Sequence, residues 1–254
     1  MKLGLVTYNM AKDWDIPTII SVCKSTGFKG VELRTTHKHG VETFLSSIER
    51  KSVKSTFEES GIELIGLGTV FEFHSIHQEV VRENIEGTKE YVKLAHDVGA
   101  QGVKVRPNGH QEEMGVPREK TLEQIGIALR ECGTFARDYG VEIRLEMHGS
   151  VAEAWNIRRI MEYAGEGNAF VCWNSNPCDV KDRSLAEDFN MVKDWIHLVH
   201  INELYNPKYP YVELFQLLKT IDYKGLCCAE IPYNPEPERF LKYYKALYDA
   251  LVAL

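Results

Sequence analysis

Gly99–Val105 reads GAQGVKV, and earlier in the chain Gly27–Leu33 reads GFKGVEL. Shorter echoes occur as GIEL from Gly61 and GVEI from Gly140. Each phrase follows a segment with helical spacing and opens a short β-branched run, so each glycine reads as the left-handed cap of a helix that hands over to a strand. The segment before Gly99 carries Val81, Ile85, Thr88, Val92 and Ala95 on one stripe, and Leu122, Ile125, Leu129 and Ala136 repeat the pattern before Gly140. Continuing outward, strands are expected near residues 3–8, 30–34, 62–68, 102–106, 141–147, 169–174, 196–202 and 225–231. Helix-like stretches lie between them, and the last spans residues 237–252 with Phe240, Tyr243, Tyr244, Leu247 and Leu251. Eight strands alternating with helices, about 32 residues per unit, is the arithmetic of an α/β (β/α)8 barrel. No GxGxxG follows the first strand, which removes the main signature of a doubly wound dinucleotide fold. With no linker or low-complexity tract, residues 1–254 read as a single TIM barrel domain with its site at the C-terminal ends of the strands.

Composition narrows the ligand class. The 254 residues are 44% hydrophobic and 26% charged, ordinary for a globular protein, and the net charge of −7 opposes a nucleic-acid backbone as the principal ligand. Small molecules are the expected partners. The start, MKLGLVTYNMAKDWD, lacks the apolar core of a signal peptide, and no run is long enough to span a bilayer, so a cytoplasmic protein without membrane contact is expected. Six cysteines show no CxxC or zinc spacing and read as reduced, buried thiols. A homo-oligomer is compatible with all of this.

Alternation along each strand converts the barrel into candidate site residues. If the β-branched and aliphatic residues face the helices, strand two aims Glu32 and Arg34 inward and strand four aims Lys104 and Arg106. Strand five then contributes Arg144, Glu146 and His148, strand seven His200 and Asn202, and strand eight Glu230. Glu146, His200 and Glu230 each follow a run too apolar to be exposed, so they should converge on one pocket. Two carboxylates and an imidazole there form a ligand set for a divalent cation such as Mn, Mg, Co or Zn, and the carboxylates could equally act as acid and base. Strand six ends between strands five and seven in VCWNSNPCDV, residues 171–180, and register puts Asn174 at that pocket. A metal site drawing on strands five to eight would contain Glu146, Asn174, His200 and Glu230. Asp179, the first carboxylate of the stretch, is a substitute ligand if the loop folds back.

These residues resemble the xylose isomerase-like barrel superfamily of sugar phosphate isomerases and epimerases, with apurinic endonucleases as distant relatives. The resemblance runs along nearly the whole chain through GVEL on strand two, Glu146-Met147-His148-Gly149 on strand five, His200 to Glu203 on strand seven and Glu230 on strand eight. It implies one divalent metal held by residues from strands five to eight. It also implies a pair of glutamates, Glu146 and Glu230, that remove and return a proton beside a substrate carbonyl through an enediolate. Three positions depart from the family pattern: Asn174 stands where the family has a metal-binding aspartate, Pro177 where many ketose epimerases have a histidine, and Tyr205 and Asn206 where they have a substrate-binding arginine. With Asn174 the four ligands and a dication sum to zero rather than −1, so weaker metal binding is expected.

Lys104 and Arg106, with Arg34, could bind a phosphate or carboxylate of the substrate; the competing reading is that they neutralise inward carboxylates. His148 shares the inward face of Glu146 and could hold a substrate oxygen. Glu32 and Glu203 complete the substrate-binding candidates, with a solvated rim position as the alternative for either. Trp14, Trp155 and Trp173 could wall a sugar site or belong to the core. The expected activity is metal-assisted isomerisation or epimerisation, or a related lyase reaction, on a small sugar, sugar phosphate or inositol derivative. The competing class is a non-catalytic sugar binder with a weakened metal site. A DNA-repair endonuclease would need more histidine and aspartate ligands than the strand ends provide.

Overall fold

The computed structural model describes residues 1–165 and 167–254. Eight parallel strands close on themselves: β1 (Lys2–Val6), β2 (Gly30–Arg34), β3 (Glu63–Glu72), β4 (Gly102–Arg106), β5 (Glu142–Glu146), β6 (Ala169–Asn174), β7 (Ile196–Ile201) and β8 (Leu226–Ala229). Each pairs with its chain neighbour, and β8 returns to β1 with Cys228 opposite Gly4. Helices follow as α1 (Tyr8–Ala11), α2 (Ile16–Thr26), α3 (Ser47–Ser60), α4 (Gln78–Val98), α5 (Arg118–Arg137), α6 (Ala154–Ala164), α7 (Ala186–Val192), α8 (Tyr211–Thr220) and α9 (Pro237–Ala253). The expected (β/α)8 barrel is therefore present. No helix among the described residues is long and apolar enough to cross a membrane.

Local chemistry accounts for the element ends. Asp15 caps α2 by accepting the Thr18 N–H at 3.0 Å, and Ser46 with Glu49 forms a reciprocal capping box on α3. Gly27, Gly61 and Gly99 end α2, α3 and α4 in the left-handed conformation that favours glycine. Gly140 differs: α5 ends at Arg137 with Asp138 as its cap, and Gly140, at φ 65°, turns the chain two residues after that cap.

Two apolar layers result. The larger lies between strands and helices, where Trp173 packs against Phe189 with ring centroids 5.7 Å apart. The smaller fills the barrel floor with Val6, Ile65, Cys172, Leu198, Leu226 and Cys228. Five of the six cysteines are buried and all six are free thiols; Cys178 is exposed, because the turn after β6 carries it out of the wall. Charged side chains occupy the interior above and around the floor, and every one that is fully enclosed must be paired.

Candidate metal and proton-transfer site

Glu146 ends β5, His200 lies in β7 and Glu230 follows β8, and one ligand atom from each falls within 4.8 Å of the others. His200 Nδ1 is 3.6 Å from Glu146 Oε1 and 3.9 Å from Glu230 Oε2. Asn174, opposite His200 in the register of β6 and β7, donates its amide to Glu146 Oε1 at 3.2 Å. The four residues that the strand ends predicted therefore meet at one mouth of the barrel. His200 Nδ1 and Asn174 Oδ1 are both buried and lack hydrogen-bond partners. Two partnerless polar atoms, an imidazole nitrogen and an amide oxygen, beside two carboxylates make a set that fits a divalent cation once the ring gives up its proton, and enclosed polar atoms of this kind otherwise carry a desolvation cost.

The charges around these residues are fixed by pairing. Lys104, on β4, puts its ammonium 2.7 Å from Glu146 Oε2 and 3.2 Å from the Thr69 carbonyl, with both ionic partners about 1% exposed. Burial works against the Glu146 carboxylate, but Lys104 and His200 outweigh it and hold its pKa well below the usual carboxylate range. Glu230 moves the other way: burial raises its pKa and Glu146 adds to the rise, against the opposing pull of His200. For His200, burial opposes a charge, while Cys172, Glu32 and Glu146 favour one and raise its pKa well above normal. A positive charge at this centre is what the surroundings favour.

The remaining candidates are committed to other partners. Arg34 reaches Glu230 Oε1 at 3.3 Å and lies over the Tyr8 ring, 5.7 Å from its centroid. Arg106 reaches Glu72 Oε1 on β3 at 2.5 Å. Each of the three cations offered for a substrate anion thus has a carboxylate at hand. Glu32 is fully buried behind His200, with Oε2 3.3 Å from Nε2, so it lies beneath the mouth and not along its open lining. Glu203, in the loop after β7, is half-buried at the rim, and its carboxylate raises the pKa of the exposed Tyr205 phenol.

His148 accepts no partner from the cation set; its Nδ1 is 2.9 Å from Asn108 Oδ1. Because an amide oxygen only accepts, Nδ1 carries the proton and Nε2 keeps a free lone pair. Burial, joined by the charges of Arg106 and Lys104 and opposed by Glu146, lowers the pKa of His148, which leaves it neutral near pH 7. Asn108 was not predicted. It sits at φ 60° in the RPNG turn and pairs with Gly149, and its carbonyl takes the Ser150 N–H at 2.8 Å. A Cβ on Gly149 would fall 1.9 Å from the Asn108 carbonyl oxygen, and its φ is +76°, so glycine is required where the two loops join. An asparagine ahead of glycine after a strand was the available signal, because asparagine tolerates the left-handed region.

Asp179 lies away from the cluster. Its carboxylate accepts the Asn176 N–H at 2.9 Å and the Tyr209 hydroxyl at 3.3 Å, and Tyr209 in turn accepts the Trp173 indole N–H at 3.0 Å. Since Trp173 faces the helices, Asp179 belongs to that outer layer and is not a ligand substitute. Trp173 is core, whereas Trp155 is about half exposed at the start of α6.

A family model for the xylose isomerase-like TIM barrel matches residues 20–248. Among solved structures, an L-ribulose 3-epimerase superposes with TM-score 0.81 at 14% identity, covering 99% of this chain and 94% of that one. A 3-keto-D-glucoside 4-epimerase from E. coli gives TM-score 0.78 at 18% identity over 100% of both chains. A D-psicose 3-epimerase from Clostridium cellulolyticum H10 gives 0.76 at 15% identity, covering 99% and 96%. No curated protein sequence matches the chain. At such identities the superpositions speak for the fold alone, and the family match covers most of the sequence: the chain belongs to the xylose isomerase-like TIM barrel family.

Proposed function

We propose that the chain is a metal-assisted carbohydrate isomerase or epimerase acting on a small uncharged sugar or inositol derivative. The observation that carries this reading is the Glu146, His200 and Glu230 cluster, with the partnerless His200 Nδ1 and Asn174 Oδ1 beside it. Glu146, Asn174, His200 and Glu230 would hold the cation, which when bound supplies Lewis-acid stabilisation to adjacent hydroxyl and carbonyl oxygens. Glu146, kept ionised by Lys104, removes the proton from the carbon beside the carbonyl, and the electron pair moves into an enediolate. Glu230, whose environment favours the protonated form, returns a proton to the opposite face of that carbon or to its neighbour. His148 Nε2 is free to accept a substrate hydroxyl. Because Arg34, Lys104 and Arg106 are all paired, a neutral polyol suits the mouth better than a phosphate ester.

The test is purification without chelator, metal analysis, and exchange of substrate C–H with deuterated solvent across ketoses and inositols. Bound metal and exchange that disappears in Glu146→Gln are expected. A second reading, a sugar binder without catalysis, is favoured by the uncharged Asn174 and by the Lys104 ammonium, both of which reduce the negative charge that attracts a cation. Sugar binding with neither metal nor exchange would select that reading and overturn the first.

A further inference from the structure

The two ring nitrogens of His200 have opposite surroundings. Nε2 lies 3.3 Å from Glu32 Oε2, and neither side chain has any exposure. Nδ1 has no hydrogen-bond partner and faces Glu146 Oε1 and Glu230 Oε2. The barrel makes deliberate room for this contact from behind. Gly68 on β3 lies beside β2, and a Cβ there would stand 2.7 Å from Glu32 Oε1 and 2.8 Å from Arg34 Cδ. Glu32 cannot reach a substrate, because it is enclosed on β2 beneath the imidazole. A carboxylate accepts hydrogen bonds only, so the proton of a neutral His200 belongs on Nε2, and the lone pair belongs on Nδ1, toward the cluster.

We infer that Glu32 is a positioning residue that fixes His200 in its Nε2–H tautomer and presents Nδ1 to the cation. This rests on the metal reading above and adds to it a residue that touches neither cation nor substrate. The carboxylate also raises the donor strength of the imidazole and locks the rotation of its ring, the usual contribution of an outer carboxylate to a metal-bound histidine. Lys104 does the corresponding work on Glu146 from the other side. By occupying Oε2 it leaves Oε1 as the oxygen nearest His200 Nδ1.

The experiment is Zn2+ titration by calorimetry together with 15N spectra of histidine-labelled protein, with His200 assigned by difference from His200→Asn. The wild type is expected to bind Zn2+ with Nδ1 as ligand and Nε2 protonated. Glu32→Leu should weaken Zn2+ binding by about ten- to a hundredfold and give a mixture of ring tautomers. Glu32→Gln keeps an acceptor oxygen without the charge, so it should retain the tautomer and lose about tenfold in affinity, at the lower end of that range. If Glu32→Leu fails to fold, the Glu32→Gln affinity decides. Variants that bind Zn2+ as tightly as the wild type with unchanged ring spectra overturn the role of Glu32 and leave the metal reading standing. A wild type that binds no Zn2+ overturns both.

Discussion

Glu146 and Asp179 are both buried carboxylates at the same end of the barrel, yet their chemistry diverges. Asp179 sits in the outer layer among Asn176, Tyr209 and Cys178, and burial, the largest influence, pushes its pKa up to about 7, with Asp188 adding to the rise. Glu146 is at least as enclosed, but Lys104 and His200 hold it ionised. Burial alone therefore does not make a proton-transfer group. An inward position beside cations produces a carboxylate that is charged and poised, and an outward position without one produces a carboxyl that titrates near neutrality.

The largest effect is expected at Glu146 itself. Glu146→Gln keeps the shape but removes the charge, and solvent exchange of the substrate C–H should fall by about 10²- to 10⁴-fold, measured by deuterium incorporation. Lys104→Met should turn Glu146 into a second Asp179. Leaving that carboxylate buried without its partner is expected to cost about 3–5 kcal/mol, read from denaturant unfolding at pH 7. The pH dependence should also reverse. In the wild type the lowered pKa of Glu146 gives stability that is lost as pH falls, whereas a raised pKa in the variant gives stability that is lost as pH rises.

Asp179 should respond to pH in the opposite sense to Glu146. Its raised pKa means that the folded chain binds more protons than the unfolded chain between the ordinary aspartate range and about pH 7. Stability from this group is full below that window and lost as pH rises through it. Asp179→Asn removes the charging step while keeping an acceptor for the Asn176 N–H. It should be more stable than the wild type by about 2 kcal/mol at pH 8, roughly half of what three pH units represent, with the gap narrowing as pH falls and closing only below the ordinary aspartate range. The smallest effect belongs to Asn174→Asp. Restoring a third carboxylate changes the liganded charge from zero to −1, and metal affinity by calorimetry should rise at least about tenfold. Unchanged affinity would remove Asn174 from the cation's ligands.

Much of this arrangement was legible from chain periodicity. The glycine phrases located the handover from helix to strand, and Gly27, Gly61 and Gly99 do cap their helices. Strict alternation then assigned Glu146, His200 and Glu230 to the inner face, where they cluster. Alternation gives a side of the wall but not a depth, which is why Glu32 read as a lining residue although it lies beneath His200. It also gives no partner: Lys104 and Glu146 are on adjacent strands, and only the stagger of β4 against β5 brings ammonium to carboxylate. Asn108 carried a local turn signal, asparagine ahead of glycine, but its role comes from a contact between two loops, which strand periodicity does not reach. Asp179 lies in a 3₁₀ turn over Pro177–Asp179, which ends the two-residue alternation that would have told inward from outward.

The proposed arrangement is one cation surrounded by Glu146, Asn174, His200 and Glu230 at the mouth of the barrel. Anomalous diffraction from crystals soaked in Mn2+ tests it most directly. A single strong peak is expected in contact with His200 Nδ1, Glu146 Oε1, Glu230 and the Asn174 amide oxygen. A clean map with no peak there, from crystals whose soak holds Mn2+ well above millimolar concentration, would contradict it.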